Sequence, residues 1–318
     1  MLRFVALVLA LCLAGAVPAA AQQYPDRPLT LLTGYPAGGM VDIVARALAE
    51  PMKKRYPKGI AIVTRPGAGG SLAVSEMVQS KPDGYTVILA PLSTLVIHPQ
   101  LNDLPYKTPD DYEAILNVVS FYPLIAVKAD APWKTIQEFV ADGKANPGKM
   151  RVGTPGEGTA SHLNLEEFIF RTGAKMTPVP YAGWAQSSPA LLGKHIEAVV
   201  AQPGEVKALV DGKRIRVLAV FQEKRHPAFP DTPTSKESGW DVANGVWYLI
   251  IAPKGTPASA MKYVHDAAKA VVDDPAFAKT MDARGVDVDY RPGDRLKTDL
   301  WKEYKLDTEI LKRIGLIK

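Results

Sequence analysis

The chain has one cysteine, Cys12, and it lies in the leading apolar segment. Beyond that segment a disulfide, a thiol nucleophile and a thiolate metal site are all excluded. Cys12 does not mark a lipid anchor either, because Leu11 stands where a lipoprotein leader needs a small residue. Lys and Arg number 38 in 318 residues but form no run interleaved with aromatics, so a nucleic-acid groove is unsupported. After the leader no stretch is long and apolar enough to cross a bilayer. There is no G-x-S-x-G elbow. GAGGS (67–71) lacks the following lysine of a phosphate loop and reads as structural. His98, His195, His226 and His265 show no metal-ligand spacing and read as surface or satisfied residues. No fixed repeat or low-complexity linker occurs. The expectation is therefore no cofactor, no metal and no catalytic residue.

Arg3 precedes an apolar core running from Phe4 to Val17, and Pro18 and three alanines follow. This is the pattern of a secretory signal peptide over residues 1–21, with cleavage after Ala21. The full sequence is 47% apolar and 22% charged, and the length of the remaining chain, 22–318, suits a folded protein of two lobes. A net charge of +5 favours an anionic small molecule as partner.

Apolar runs at 29–34, 60–64, 86–90, 123–128, 151–154, 196–201, 216–220 and 246–252 read as strands. Between them lie amphipathic segments, at 41–56, 161–172 and 296–314 among others. Ser71 is expected to cap a helix, and Thr135 with Glu138 to form a capping box. The pattern predicts an α/β fold of mainly parallel sheets. Crossing strands at 122–128 and 247–253 divide it into lobe one (22–121 and 247–318) and lobe two (122–246). Each lobe then carries one strand–glycine turn–helix unit, GYPAGGMVD (34–42) and GTPGEGTASHL (153–163). Glycines let backbone approach a ligand. A helix start offers unpaired N–H groups and partial positive charge to an anion. Two such units facing one cleft predict a carboxylate held between lobes.

Several polar residues near these turns have plainer readings. Asp42 suits capping and dipole complementation. Ser161 and His162 are adjacent, so they form no dyad. His162 is balanced between donating to a ligand and packing. Glu157 is expected to point outward, and Glu166 and Glu167 to be solvated. Trp184 is the better candidate for lining the cleft, and Trp247 for packing at the hinge.

The ordered set YPDRPLTLLTGYPAGGMVDIVAR (24–46), TRPGAGGSLA (64–73), PDGYTVIL (82–89), KANPGKMRVGTPGEGTASHL (144–163), VPYAG (179–183), LLGKHIEAV (191–199), IRVLAV (215–220), FPDTPTSKESG (229–239) and APKGTP (252–257) resembles the Bug family. These are the periplasmic solute-binding proteins of tripartite tricarboxylate transporters. The resemblance implies a two-lobed flytrap in the periplasm, a monomer that passes a small organic anion to a membrane permease. It implies ligand contacts from Tyr35, Ala37, Gly38 and Gly39 in lobe one, with Thr94 bordering the cleft. From lobe two it implies Gly158, Thr159, Ser161, His162, Tyr181 and Gly183. Met40, Val41, Leu95, Ala182 and Trp184 depart from the residues common in relatives, all toward lower polarity or greater apolar bulk. If they line the cleft, the ligand is less charged or more apolar than citrate. A sensory adaptor of the same fold stays open as an alternative. A secreted α/β hydrolase or transferase is a third reading, without a credible nucleophile–base pair.

Overall fold

The computed structural model describes residues 24–318; the signal-peptide reading of 1–21 lies outside them. Among the described residues eleven strands form two sheets, each flanked by helices on both faces, and the two sheets make two lobes. The first sheet has the order β11-β4-β10-β3-β1-β2, and the second β7-β6-β8-β5-β9. Their strands are β1 (Leu29–Thr33), β2 (Ile60–Thr64), β3 (Thr86–Pro91), β4 (Tyr112–Phe121), β5 (Leu124–Lys128), β6 (Met150–Thr154), β7 (Met176–Pro180), β8 (Ala198–Ala201), β9 (Ile215–Val220), β10 (Val246–Pro253) and β11 (Asp287–Pro292).

β1 is buried along nearly its whole length because it lies inside the sheet with helices on both sides. It pairs in parallel with β2 and β3, as expected of strands joined by crossover helices. β10 instead runs antiparallel between β3 and β4. In the second sheet β5 runs antiparallel to both β8 and β9. Both sheets are therefore mixed, where the sequence suggested mainly parallel ones. The reason is topological: β5 and β10 are the first strands after the chain changes sheet, and they enter from the opposite end. The chain leaves the first sheet at Tyr122–Pro123 and returns along 221–245.

Helix Met40–Met52 places Met40, Val41, Val44, Ala45, Leu48 and Met52 on one buried face against the first sheet. Full burial of one such aliphatic side chain contributes about 1.5–3 kcal/mol. Its N-cap is Gly39, and Asp42 in the first turn accepts from the Gly38 N–H at 3.0 Å. Ser71 does not cap the next helix. Gly70 precedes it in a left-handed conformation, and the Ser71 hydroxyl donates back to Ala68 O at 2.8 Å. Thr135 does accept from the Glu138 N–H, while the Glu138 carboxylate reaches past it to the Lys134 N–H.

Helix Ala160–Thr172 belongs to the second lobe but also packs on the first: Ala160 and Leu163 join first-lobe core clusters. Asn164 exchanges hydrogen bonds with Asn244, and Arg313 of the terminal helix Gly293–Arg313 reaches Glu167 at 2.8 Å. Glu167 is thus buried and paired with Arg171 and Arg313, not solvated, because the terminal helix covers it. Among the described residues no helix is long and apolar enough to cross a membrane.

Candidate functional site

Two cavities lie between the lobes, sharing Tyr35, Pro155 and Ala182. The smaller, about 130 Å³, is walled by Tyr35, Trp184, Tyr248 and Val246, and by both helix starts, Gly39–Val41 and Thr159–Ser161. The larger, about 470 Å³, lies between Gly67–Gly70 and the Gly156–Gly158 turn, with His98, His162 and Tyr181.

The second-lobe helix start is open. Thr159 caps it by accepting from the His162 N–H at 3.2 Å, and its hydroxyl donates to Gly156 O at 2.8 Å. His162 Nδ1 accepts from the Gly158 N–H at 3.2 Å, and Nε2 lies 3.4 Å from Glu166. The imidazole therefore holds the turn in shape. The N–H groups of Ala160 and Ser161 sit in the first turn, where no intrahelical acceptor exists. Both residues line the smaller cavity.

Carboxylates stand beside the first-lobe helix start. Burial disfavours the charge on Asp42, but Arg46 and the Gly38 N–H outweigh it and hold the carboxyl below its usual range. Glu205, in the first turn of second-lobe helix Pro203–Asp211, lines the same cavity. Its Oε2 accepts from the Gln202 N–H at 3.1 Å. Burial pushes the Glu205 carboxyl up to about 7, although the N–H groups of Gln202 and Met40 favour the ionised form. Met40 belongs to the first-lobe helix start, so this second-lobe acid stands against it across the cavity. Tyr248 donates its hydroxyl to Gln202 Oε1 at 3.0 Å, tying the same corner to β10.

Of the residues singled out from sequence, Tyr35, Gly39, Thr159, Ser161, Gly183 and Trp184 line the smaller cavity. Gly158, His162 and Tyr181 line the larger one, which Tyr35 also borders. Ala37, Gly38 and Thr94 line neither. Ala37 and Gly38 are exposed, and the Gly38 N–H is already taken by Asp42. Thr94 is fully buried, its carbonyl accepting from the Tyr106 hydroxyl. Met40, Val41, Ala182 and Trp184 all line the smaller cavity, whereas Leu95 is in the first-lobe core. Glu157 is exposed at the larger cavity's edge.

The loop 67–71 is more than punctuation, because it touches the opposite lobe. Gly69 has φ +60°, and a Cβ there would fall 2.4 Å from His98 Cε1 and 2.9 Å from Glu157 O. His98 itself is buried with neither ring nitrogen bonded, against the expectation of a surface or satisfied histidine. Burial, aided by neighbouring His162, lowers it to about 4 and keeps it neutral. Among the described residues no group of three His, Cys, Asp or Glu could hold a metal ion.

Comparison with known proteins supplies independent findings. The family described as tripartite tricarboxylate transporter family receptor matches residues 44–316. A Cupriavidus necator UPF0065 protein, from the gbd 5′ region, is 35% identical over 307 residues, covering 95% of this chain and 93% of its own. BugT of Bordetella pertussis is 31% identical over 276 residues, with 83% of each chain covered. Among solved structures, the periplasmic binding protein BugD superposes with TM-score 0.87 at 29% identity, covering 93% of this chain and all of its own. An R. palustris protein solved with adipate has TM-score 0.86 at 23% identity, covering 92% of this chain and 98% of its own, a likeness of fold.

Proposed function

We propose, on the premise that this chain belongs to the tripartite tricarboxylate transporter receptor family, that it captures one small organic carboxylate in its cleft and presents it to a membrane permease of that transport system. The family is one of periplasmic solute-binding proteins, and binding without turnover is the role assigned here. The observation that carries the reading is the open helix start at Ala160–Ser161, lining an apolar cavity between the lobes. Unpaired N–H groups at a helix start favour a carboxylate, the more so where little water competes.

The walls favour a longer aliphatic or aromatic acid over citrate, because Met40, Val41, Ala182 and Trp184 occupy the cavity surface. Three carboxylates would have to lose water against these side chains without cationic partners. Lobe one is assigned to 22–121 and 247–318, and lobe two to 122–246. Closure is then hinge motion at the two crossings, and the ligand shifts it by its preference for the closed form. An exported, monomeric protein acting in the periplasm fits this role.

Calorimetry on protein freed of co-purifying solute, against citrate, succinate, adipate and benzoate-type acids, tests the reading. Binding of an aliphatic or aromatic acid more tightly than citrate is expected. A clear preference for citrate overturns the ligand class; no binding by any acid overturns the function.

A further inference from the structure

Among the described residues Glu205 is the one carboxylate lining the smaller cavity, and it comes from a helix not legible in the strand-and-turn pattern of the sequence. A carboxylate-binding cleft gains nothing from an acid placed at random inside it. Around this acid, the first-lobe turn presents the Tyr35 phenol and β10 the Tyr248 phenol, both raised by burial and further by Glu205. The Tyr35 hydroxyl is committed to Gly69 O, and the Tyr248 hydroxyl to Gln202. On its own helix, Lys207 pairs outward with Asp211. Arg284 backs onto Gly204 through its carbonyl, and its guanidinium donates to Thr280 O. No lysine or arginine lines the cavity.

The cavity wall therefore has two unlike parts. At Thr159–Ser161 it offers donors; beside Glu205 it offers an acceptor. A ligand carboxylate brought beside Glu205 would put two like charges together in a partly desolvated site, and one of them would have to hold a proton. A ligand hydroxyl or ammonium group there would meet a carboxylate ready to accept.

We propose that Glu205 is the specificity-determining residue of the cleft, selecting a monocarboxylate whose far end carries a hydrogen-bond donor over a dicarboxylate of the same length. This rests on the carboxylate-capture reading above. The solute class is an ω-hydroxy or ω-amino acid with an apolar body.

The test compares adipate, ω-hydroxyhexanoate and ω-aminohexanoate, which share one carbon chain, by calorimetry on the native protein and on Glu205→Gln. At about pH 8.5, where the native acid is ionised, the donor-bearing acids should bind about tenfold or more tightly than adipate. At about pH 6 that ratio should shrink, because a protonated Glu205 can donate to the second carboxylate. In Glu205→Gln both the preference and its pH dependence should be lost. A ratio of donor acid to adipate that is equal in the two proteins overturns the inference while leaving carboxylate capture intact. Failure of all three acids, with citrate and aromatic acids also silent, overturns both. If the variant does not fold, the native pH series decides alone: a constant ratio rejects the role of Glu205. The hydroxy and amino acids compared with each other separate a neutral donor from a cationic one.

Discussion

At Ala160 and at Met40 the chain makes the same construction, a strand, a glycine turn and a helix whose first residues line one cavity. At Ala160 the cap is a threonine hydroxyl, and the first two residues line the cavity with N–H groups that have no intrahelical acceptors. At Met40 the cap is a glycine without a side chain, Asp42 in the first turn accepts from the Gly38 N–H, and Glu205 lines the cavity beside it. One helix carries no acid in its first turn; the other carries Asp42 there and has Glu205 beside it. A shared local motif therefore does not carry a shared role.

The strongest way to break the comparison is to close the open end. Ser161→Asp places a carboxylate in the first turn of helix Ala160–Thr172, where it complements the helix dipole and repels an acidic ligand. Affinity for the best acid should fall by about a hundredfold or more while the melting temperature holds, as read by calorimetry and thermal unfolding together. Trp184→Ala removes an aromatic wall common to any occupant, and about 2 kcal/mol of binding, near thirtyfold, should go with it.

Glu205→Gln sharpens the contrast without any ligand. The Glu205 carboxyl moves from an ordinary 4.5 to about 7 on folding. Between those values the folded protein holds a proton that the unfolded chain has released, so stability falls as pH rises through that window and stays reduced above it. The variant should melt a few degrees higher than the native protein at about pH 8 and at the same temperature near pH 4. Asp42→Ala is the mildest change. It should cost about 1 kcal/mol of stability by denaturant titration and leave ligand affinity within about twofold, because that carboxylate holds Arg46 and the Gly38 N–H and does not line the cavity.

The sequence exposed much of this arrangement, and its limits are physical. Both glycine turns were readable because a turn and the helix start beyond it are local features, set within ten residues. β4 escaped notice because Tyr112–Phe121 has neither clean alternation nor an unbroken apolar run. Its polar Asn117 finds its partner far along the chain, at Asp289 O. The antiparallel entry of β5 and β10 is not legible because it depends on where the chain changes lobes. Glu205 was missed since its meaning lies in Met40 and Tyr248, remote in sequence. Its local signal was nonetheless present: Pro203 followed by Glu205 after a buried strand is a helix-start pattern. His98 could not have been foreseen, because only packing against Gly69 and Gly158 leaves it buried and unpartnered.

A crystal structure of the protein with its tightest-binding monocarboxylate tests the difference between the two helix starts most directly. The carboxylate should accept from the N–H groups of Ala160 and Ser161, with Glu205 still in place. A carboxylate seated instead on the Met40–Val41 turn, with Glu205 displaced from it, would contradict the account.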